Sequence, residues 1–170
     1  MLNAESWYAI WTRSHCERLV AEQLSSRGFS AFLPEVPTRS VRANRTRFVP
    51  APMFPGYLFV HDAMTKNRYI EMLNVRGIVR VLEDGWTRLT PVPEADIEAI
   101  QRIVASGVPV YPHPLLNHGD RVRVIEGPLC GVEGIFLKDS QQKGRLVVTI
   151  ELLGRSVALE VNGGDIVRCS

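Results

Sequence analysis

Four arginines between Arg39 and Arg47 are the residues of this sequence whose type and spacing most directly suggest a chemistry. No acidic residue lies between Glu35 and Asp62, so the sequence offers these arginines no neighbouring counter-charge. Unopposed cations on an exposed loop attract phosphate backbones by releasing counterions, without preference for a base sequence. The cluster therefore indicates either a contact with nucleic acid or a solvated hairpin that has no partner.

The histidines and cysteines predict neither a catalytic nor a metal site. His15 and Cys16 are adjacent, so on a helix they point about 100° apart, and no second ligand follows at a useful spacing. The three cysteines are widely separated, which is typical of a reducing cytoplasm rather than a disulfide framework. Nucleophile-elbow, paired-carboxylate and dinucleotide-binding patterns are not found. We expect no enzyme activity, no cofactor and no metal.

A glycine-rich segment from Gly127 to Gly134 has two interpretations. A phosphate-cradling loop would need a following Lys-Ser/Thr pair and a helix, and the sequence provides neither. The spacing of the glycines is more typical of a tight turn in a β-barrel. Leu129, inside this turn, either closes the end of the barrel or forms an exposed contact.

The segment from Phe54 to Val60 predicts a strand that is apolar on both faces. Side chains of a strand alternate, so Tyr57 and Phe59 share one face while Leu58 and Val60 share the other. Such a strand is either buried on both sides or packed on one side and open to a partner on the other.

Composition sets the class of protein in which these residues act. The chain has 170 residues, of which 45% are hydrophobic, and a formal net charge of +2. This is enough for one large domain or two small ones. Residues 119–170 contain seven basic and seven acidic side chains, so the small basic excess belongs to the first part. No secretory signal and no membrane span are visible, and we expect a soluble cytoplasmic protein.

The elements that would position these residues form two sets. In the first part, Ser14 and Glu17 form a capping box for a helix with an apolar stripe of Cys16, Leu19, Val20 and Leu24, which ends at Gly28. Thr65 caps a second helix that buries Tyr69, Met72 and Leu73, and a third helix runs from Pro93 to Gly107. Strands are predicted at 7–11, at 29–36 with an interruption by proline, at 54–60 and at 78–82, and a hairpin or mobile loop at 40–49.

The last part of the chain has a different pattern. A proline-rich stretch at 108–118 is typical of a linker. After it the apolar residues alternate with period two, which predicts five short strands at 121–125, 132–137, 146–152, 156–161 and 166–168. Five strands in about fifty residues indicate a small barrel. The sequence thus predicts an α+β fold with domains at 1–107 and 119–170.

Three motifs in this order resemble the NusG family of transcription elongation factors. They are Trp7-Tyr8, Phe54-Pro55-Gly56-Tyr57, and Gly119-Asp120-x-Val122-x-Val124 followed by Gly127-Pro128 and Gly134. The resemblance covers essentially the whole chain. It implies an N-terminal NusG-like (NGN) α/β sandwich domain joined by the linker to a C-terminal all-β SH3-like barrel (KOW).

The resemblance also implies what the chain binds. Trp11, Tyr57 and Phe59 match positions that line the family's apolar cavity for the clamp helices of RNA polymerase, with Phe54 at its edge. Tyr57 and Phe59 would then form an open docking face, and Leu58 and Val60 the core. Upstream or exposed non-template DNA would lie near the basic hairpin, where we assign Arg13, Arg42, Arg45 and Arg47.

The barrel would recruit a second partner, in this family a small ribosomal protein or the termination factor Rho, through Leu129 and Leu153. Within the family the chain is more similar to the specialised antitermination paralogues such as RfaH, which suppress pausing and termination. It departs from them at Arg68-Tyr69-Ile70, where RfaH carries a His-Thr-Thr run credited with contacting the polymerase gate loop. The expected protein is a monomer that binds no membrane. The alternative is a KOW-type RNA-binding or ribosome-associated module without affinity for polymerase.

Overall fold

The computed structural model describes residues 4–82, 85–116, 118–140 and 142–169 and has an α+β fold. Its contacts divide the chain into two compact units, the first formed by the residues up to Pro34 with Phe54–Ile97, the second by Glu35–Met53 with the residues from Glu98 onwards. The predicted domain bounds of 1–107 and 119–170 differ from this division and stay a prediction.

The first unit contains four strands, two helices and the start of a third helix. They are β1 (Ser6–Thr12), α1 (Glu17–Ser26), β2 (Ser30–Phe32), β5 (Tyr57–Asp62), α2 (Lys66–Leu73), β6 (Ile78–Val81) and α3 (Glu94–Ser106), the last of which continues into the second unit. The strands form an antiparallel sheet in the order β2-β5-β1-β6. The Pro-interrupted strand predicted at 29–36 is divided in the structure: β2 ends at Phe32, and the next strand begins at Glu35, after Pro34, because proline has no N–H to donate to a sheet.

One face of this sheet packs on α1 and α2 and forms the core of the unit. Leu58 and Val60 of β5 are fully buried there with Tyr8 and Ile10 of β1. The prediction that Leu58 and Val60 are core residues is therefore confirmed. The helices add further buried side chains, which are Val20, Leu24 and Met72.

The start of α1 differs from the prediction. Ser14 does not cap this helix, because the chain first makes a turn in which the Cys16 N–H donates to Arg13 O at 3.1 Å and His15 takes a left-handed φ of 61°. Cys16 is the N-cap residue, without a side-chain hydrogen bond. The end is as predicted, with Gly28 one residue beyond the cap at a φ of 82°.

Two further details of the helices can be compared with the sequence. The Thr65 hydroxyl accepts a hydrogen bond from the Arg68 N–H at 3.2 Å, so the predicted cap of α2 is confirmed. Leu19 and Leu73 were predicted to be buried and are exposed. Both lie at the margin of an apolar stripe, where the residue's angular position on the helix decides whether it reaches the core.

The second unit contains a hairpin and a six-stranded sheet. The hairpin pairs β3 (Glu35–Arg42) with β4 (Arg45–Pro52). Between them Ala43 and Asn44 have φ angles of 49° and 58°, which is typical of a two-residue type I′ turn. Positions 40–49 are therefore part of a regular hairpin.

The sheet confirms all five strands that period-two alternation predicted. They are β8 (Arg121–Val124), β9 (Glu133–Lys138), β10 (Lys143–Ile150), β11 (Arg155–Asn162) and β12 (Ile166–Arg168). The order is β12-β8-β9-β10-β11-β7, in which β7 is the strand Tyr111–His113. The additional strand, β7 (Tyr111–His113), pairs with β11 and lies inside the segment that was predicted as a linker. Its Pro112 is tolerated because β7 is an edge strand.

Candidate functional site

The face of the first sheet that is turned away from its core carries a group of aromatic side chains. Strand pairing places Trp7 opposite His61, and Trp11 opposite Tyr57, on this face. Phe59 lies between them and is paired with Phe32 of β2. We call Trp7, Trp11, Phe32, Tyr57, Phe59 and His61 the aromatic face.

The rings of the aromatic face contact one another along the sheet. Trp7 meets Phe32 edge to face at a centroid distance of 6.0 Å and lies 4.8 Å from the His61 ring. Phe32 lies 6.3 Å from Phe59. Aromatic pairs at these separations stabilise each other beyond simple burial. The middle of the aromatic face is thus a packed cluster.

The prediction of an open face is wrong for Phe59, whose exposed fraction is 0%. Its strand lies between β1 and β2, so the side chain is flanked by Ala9 on one neighbour and Phe32 on the other. Phe54, predicted at the edge of the cavity, is buried as well. The polymerase-binding role that the resemblance implies for these two residues stays a prediction.

Trp11 and Tyr57 form the accessible end of the aromatic face. They are directly paired at the end of β1 and the start of β5. Trp11 is 39% exposed and Tyr57 is half-buried. The Arg80 guanidinium lies 5.2 Å from the centre of the Trp11 ring, within the range of a cation–π interaction. This corner therefore combines apolar area with positive charge.

The turn before Tyr57 is fixed by hydrogen bonds between residues that are far apart in the sequence. The Gly56 N–H donates to Glu17 Oε1 at 2.8 Å, and Gly56 O accepts from the Thr12 N–H at 2.8 Å. Gly56 has a φ of 87°, a conformation that favours glycine, and a Cβ atom there would lie 3.7 Å from the Trp11 indole. No signal for this contact is visible in the sequence, because Glu17 and Gly56 are 39 positions apart.

The hairpin of the second unit carries the predicted arginines in a defined arrangement. Arg42 pairs with Arg45, and Ser40 with Arg47, so Arg42, Arg45 and Arg47 share one face of the hairpin. We call these three residues the arginine face. All three are exposed. Arg39 lies on the opposite face, and the predicted Arg13 belongs to the first unit, directly after β1.

Arg68, at the position where the chain departs from the RfaH pattern, has a structural role. Its guanidinium donates to both oxygens of Asp62, at 3.2 and 2.9 Å, and lies 3.8 Å from the centre of the Phe29 ring. The hydrogen bond to Asp62 raises the pKa of Arg68 above its ordinary value. Ile70 is exposed, whereas Tyr69 lies 5.9 Å from Trp86.

Leu129 and Leu153, the predicted partner-binding residues of the barrel, are both buried. Neither side chain is therefore accessible for a direct contact with a partner, because each packs into the core next to a turn. Leu129 nevertheless lines a cleft of about 250 Å³, to which three carboxylates also contribute: Glu126, Glu160 and Asp165.

Two findings concern other classes of site. Within the described ranges, no group of three or more His, Cys, Asp or Glu side chains could hold a metal ion. In the same part of the chain, no helix is both long and apolar enough to cross a membrane.

Comparison with known proteins identifies the family. A family model described as transcription termination factor nusG matches residues 5–101, more than half of the chain. The transcription termination/antitermination protein NusG of Pseudomonas aeruginosa is 29% identical, with coverages of 93% of this chain and 95% of that protein. The Vibrio vulnificus NusG is 26% identical, with coverages of 94% and 93%.

A solved structure supports the same assignment at the level of fold. The structure titled "Domain interaction in Thermotoga maritima NusG" superimposes with a TM-score of 0.62 at 21% identity and covers 98% of both chains. Together with the family match, which includes β1, the Phe54-Pro55-Gly56-Tyr57 segment and the aromatic face, this shows that the chain belongs to the NusG family of transcription termination and antitermination factors.

Proposed function

We propose that this protein binds RNA polymerase during elongation and suppresses pausing and termination, as the RfaH-like branch of the family does. The observation that carries the proposal is the Trp11–Tyr57 pair, which exposes aromatic area at one end of an otherwise packed aromatic face. Aromatic anchors surrounded by packed neighbours are typical of binding hot spots. The apolar surface of the polymerase clamp helices is the partner that would bury them.

Binding would act on polymerase through differential affinity. If the protein holds the clamp in its closed state, the rearrangement that accompanies pausing becomes less populated, because a ligand shifts an equilibrium towards the state that it binds more tightly. Trp11 and Tyr57 suit this role since they bury a large area with few rotatable bonds to fix. Phe54 and Phe59 are buried, so they would stabilise the sheet that carries Trp11 and Tyr57 and would not contact the polymerase themselves.

The arginine face would contact DNA next to the polymerase. Arg42, Arg45 and Arg47 present three permanent positive charges in one direction, and guanidinium groups bind phosphate in a bidentate manner. Arg13, on the other unit, would add a further phosphate contact. Such contacts position a protein on DNA without reading its base sequence.

The six-stranded sheet would recruit a second partner, a small ribosomal protein or Rho. The cleft that Leu129 lines would suit a partner with apolar and basic side chains, because Glu126, Asp165 and Glu160, the last paired with Lys143, are among its lining residues. Leu153 would contribute by shaping the adjacent turn. The alternative function, RNA binding by this part alone, is less well supported, since residues 119–170 carry seven basic and seven acidic side chains.

A pull-down of purified RNA polymerase tests the proposal. Trp11→Ala and Tyr57→Ala should each lower retention of polymerase at least tenfold, as expected for hot-spot residues, and circular dichroism is to show that each variant still folds. Leu19→Ala is the matched control, because Leu19 is an exposed apolar residue on α1, outside the aromatic face. Normal retention by folded Trp11 and Tyr57 variants would contradict the proposal.

A further inference from the structure

The segment from Tyr111 to Leu116 lies along the outer edge of β11. Its first three residues form β7, in which Tyr111 pairs with Ala158 and His113 with Ser156. We call residues 111–116 the strap. Because little of its apolar area is buried, the strap depends on backbone hydrogen bonds. The exposed side chains of the strap are those of Tyr111, Pro112, Pro114 and Leu115.

Two hydroxyl groups bind the backbone of Leu116 at the end of the strap. The Thr149 hydroxyl donates to Leu116 O at 3.0 Å, and the Leu116 N–H donates to Ser156 Oγ at 3.4 Å. The two hydroxyl oxygens are 2.6 Å apart. A carbonyl oxygen only accepts, so Thr149 uses its single hydrogen on Leu116, and Ser156 must donate to Thr149. These bonds close a ring, and we call Thr149 and Ser156 the hydroxyl clamp.

The hydroxyl clamp recognises a backbone and not a particular side chain. Leu116 contributes its N–H and its C=O to the ring, and every residue except proline carries both groups. Pairing along a strand edge also uses main-chain hydrogen bonds, so it tolerates different side chains. The edge of β11 together with the hydroxyl clamp is therefore a site for an extended peptide segment, and the chain fills it with its own residues.

The strap can leave this edge while the sheet stays folded. All eight residues of β11 are paired with β10 on the other side, and Val157, Ala158 and Leu159 are buried. A segment with few buried apolar contacts opens at a low cost in free energy. Opening would turn the strap into a loop, because the chain before it is held by a hydrogen bond of 3.3 Å from the Val110 N–H to Pro37 O. It would also expose an unpaired strand edge, to which another strand can bind.

We propose that the strap is autoinhibitory: it occupies the edge of β11 in the closed state, and an extended segment of the second partner protein replaces it. β11 begins directly after Gly154, next to the turn that contains Leu153. Further along β11, Glu160 and Val161 line the Leu129 cleft. The covered edge thus connects the two positions at which recruitment of a second partner is proposed above, and this inference rests on that proposed function.

Hydrogen–deuterium exchange of the full chain tests the closed state with a matched pair of variants. Leu116→Pro removes the N–H that Ser156 accepts, whereas Leu116→Ala keeps both backbone groups of the ring. Amides of residues 111–113 and 156–158 should exchange about fivefold to tenfold faster in Leu116→Pro, the effect of losing one hydrogen bond. Leu116→Ala should exchange like the parent protein. Unchanged exchange of β9 and β10 is to show that the sheet stays folded.

Binding of the purified small ribosomal protein and of purified Rho, the two partners named above, tests the replacement. A closed strap lowers the apparent affinity by the fraction of molecules that are open. Leu116→Pro should therefore bind one of these proteins about fivefold to tenfold more tightly than the parent protein, and Leu116→Ala as tightly as the parent protein. In the complex with the parent protein, amides of residues 156–158 should stay protected from exchange while those of residues 111–113 lose protection.

The outcomes separate this inference from the proposed function. If a partner binds the parent protein and Leu116→Pro equally well, and the strap stays protected in the complex, recruitment holds and the inference is overturned. Exchange of residues 111–113 in Leu116→Pro at the rate of the parent protein would also overturn it, because the hydroxyl clamp would then not hold the strap. If neither protein binds any variant, the proposed recruitment itself is refuted, and this inference with it.

Discussion

The carboxylate of Glu17 accepts a hydrogen bond of 2.8 Å from the backbone N–H of Gly56, although the two residues are 39 positions apart. Glu17 is 7% exposed. The carbonyl of Gly56 is bound at the same time by the Thr12 N–H. The residue directly before Tyr57 is therefore fixed both to α1 and to β1, and this fixes the accessible end of the aromatic face.

Removal of the Glu17 carboxylate should destabilise the first unit. Glu17→Ala leaves the Gly56 N–H without its acceptor, and we expect the free energy of unfolding to fall by about 1–3 kcal/mol. Glu17→Gln keeps an acceptor oxygen and should lose less. Urea denaturation followed by tryptophan fluorescence measures the difference.

The matched control is Glu22→Ala, since Glu22 is exposed on the same helix. If Glu17→Ala were as stable as Glu22→Ala, the hydrogen bond would have no energetic importance. Because the contact positions the residue before Tyr57, Glu17→Ala should also retain less polymerase than Glu17→Gln in the pull-down.

Gly134 allows two strands to approach more closely than a side chain would permit. A Cβ atom at this position would lie 2.5 Å from the backbone carbonyl oxygen of Val147 and 3.1 Å from a methyl group of Leu146. Backbone cannot yield as a flexible side chain can, so Gly134→Ala should lower stability by about 1–3 kcal/mol. Thermal denaturation measures the change.

Gly164→Ala is the control for this substitution. Nothing lies within 4 Å of a Cβ atom at Gly164, so the variant should stay within about 0.5 kcal/mol of the parent protein. Equal stability of the two variants would show that the sheet accommodates a methyl group at Gly134.

Local patterns were sufficient to predict most of the fold. The five strands after residue 119 follow from period-two alternation, and the caps at Thr65 and Gly28 from their side-chain and backbone chemistry. These features depend on residues that are near one another in the sequence. Residues 40–49 were predicted only as a hairpin or mobile loop, and the position of the turn at Ala43–Asn44 comes from the structure.

Contacts between distant residues could not be predicted in this way. Glu17 was assigned to a capping box, because the sequence does not reveal its partner Gly56. Phe59 was assigned to an open face, because a strand that is apolar on both sides does not show which neighbours cover it.

Arg68 should be important for stability rather than for binding alone. Its guanidinium makes two hydrogen bonds to Asp62 and covers the Phe29 ring. Arg68→Ala removes all three contacts, and we expect a loss of about 1–3 kcal/mol in urea denaturation. Arg68→Lys keeps the charge but not the bidentate geometry and should recover only part of the loss.

Lys66→Ala serves as the comparison, since Lys66 lies exposed on the same helix. It should be nearly as stable as the parent protein. If Arg68→Ala behaved in the same way, the contacts of Arg68 with Asp62 and Phe29 would not contribute to stability.

The pair of Arg123 and Glu133 should give the second unit a defined dependence on pH. The Arg123 Nε donates to Glu133 Oε1 at 2.9 Å, and this hydrogen bond lowers the pKa of the Glu133 carboxyl below its ordinary value of 4.5. In the unfolded chain the carboxyl takes up a proton at the ordinary value, so on acidification the unfolded state binds the proton first. The stabilisation is thus fully present above pH 4.5 and is lost as the pH falls through the lower value of the folded state.

Glu133→Gln should remove this dependence. The parent protein should lose melting temperature more steeply than the variant when the pH falls from 4.5 towards the lowered pKa of the folded state, whereas both should respond alike well above pH 4.5. Arg123→Ala brings the Glu133 pKa back towards its ordinary value, so it should flatten the curve over the same range. Since the two side chains act as a pair, the double variant should show little more effect than either single variant. A Glu133→Gln curve parallel to that of the parent protein below pH 4.5 would show that the pair does not contribute to acid sensitivity.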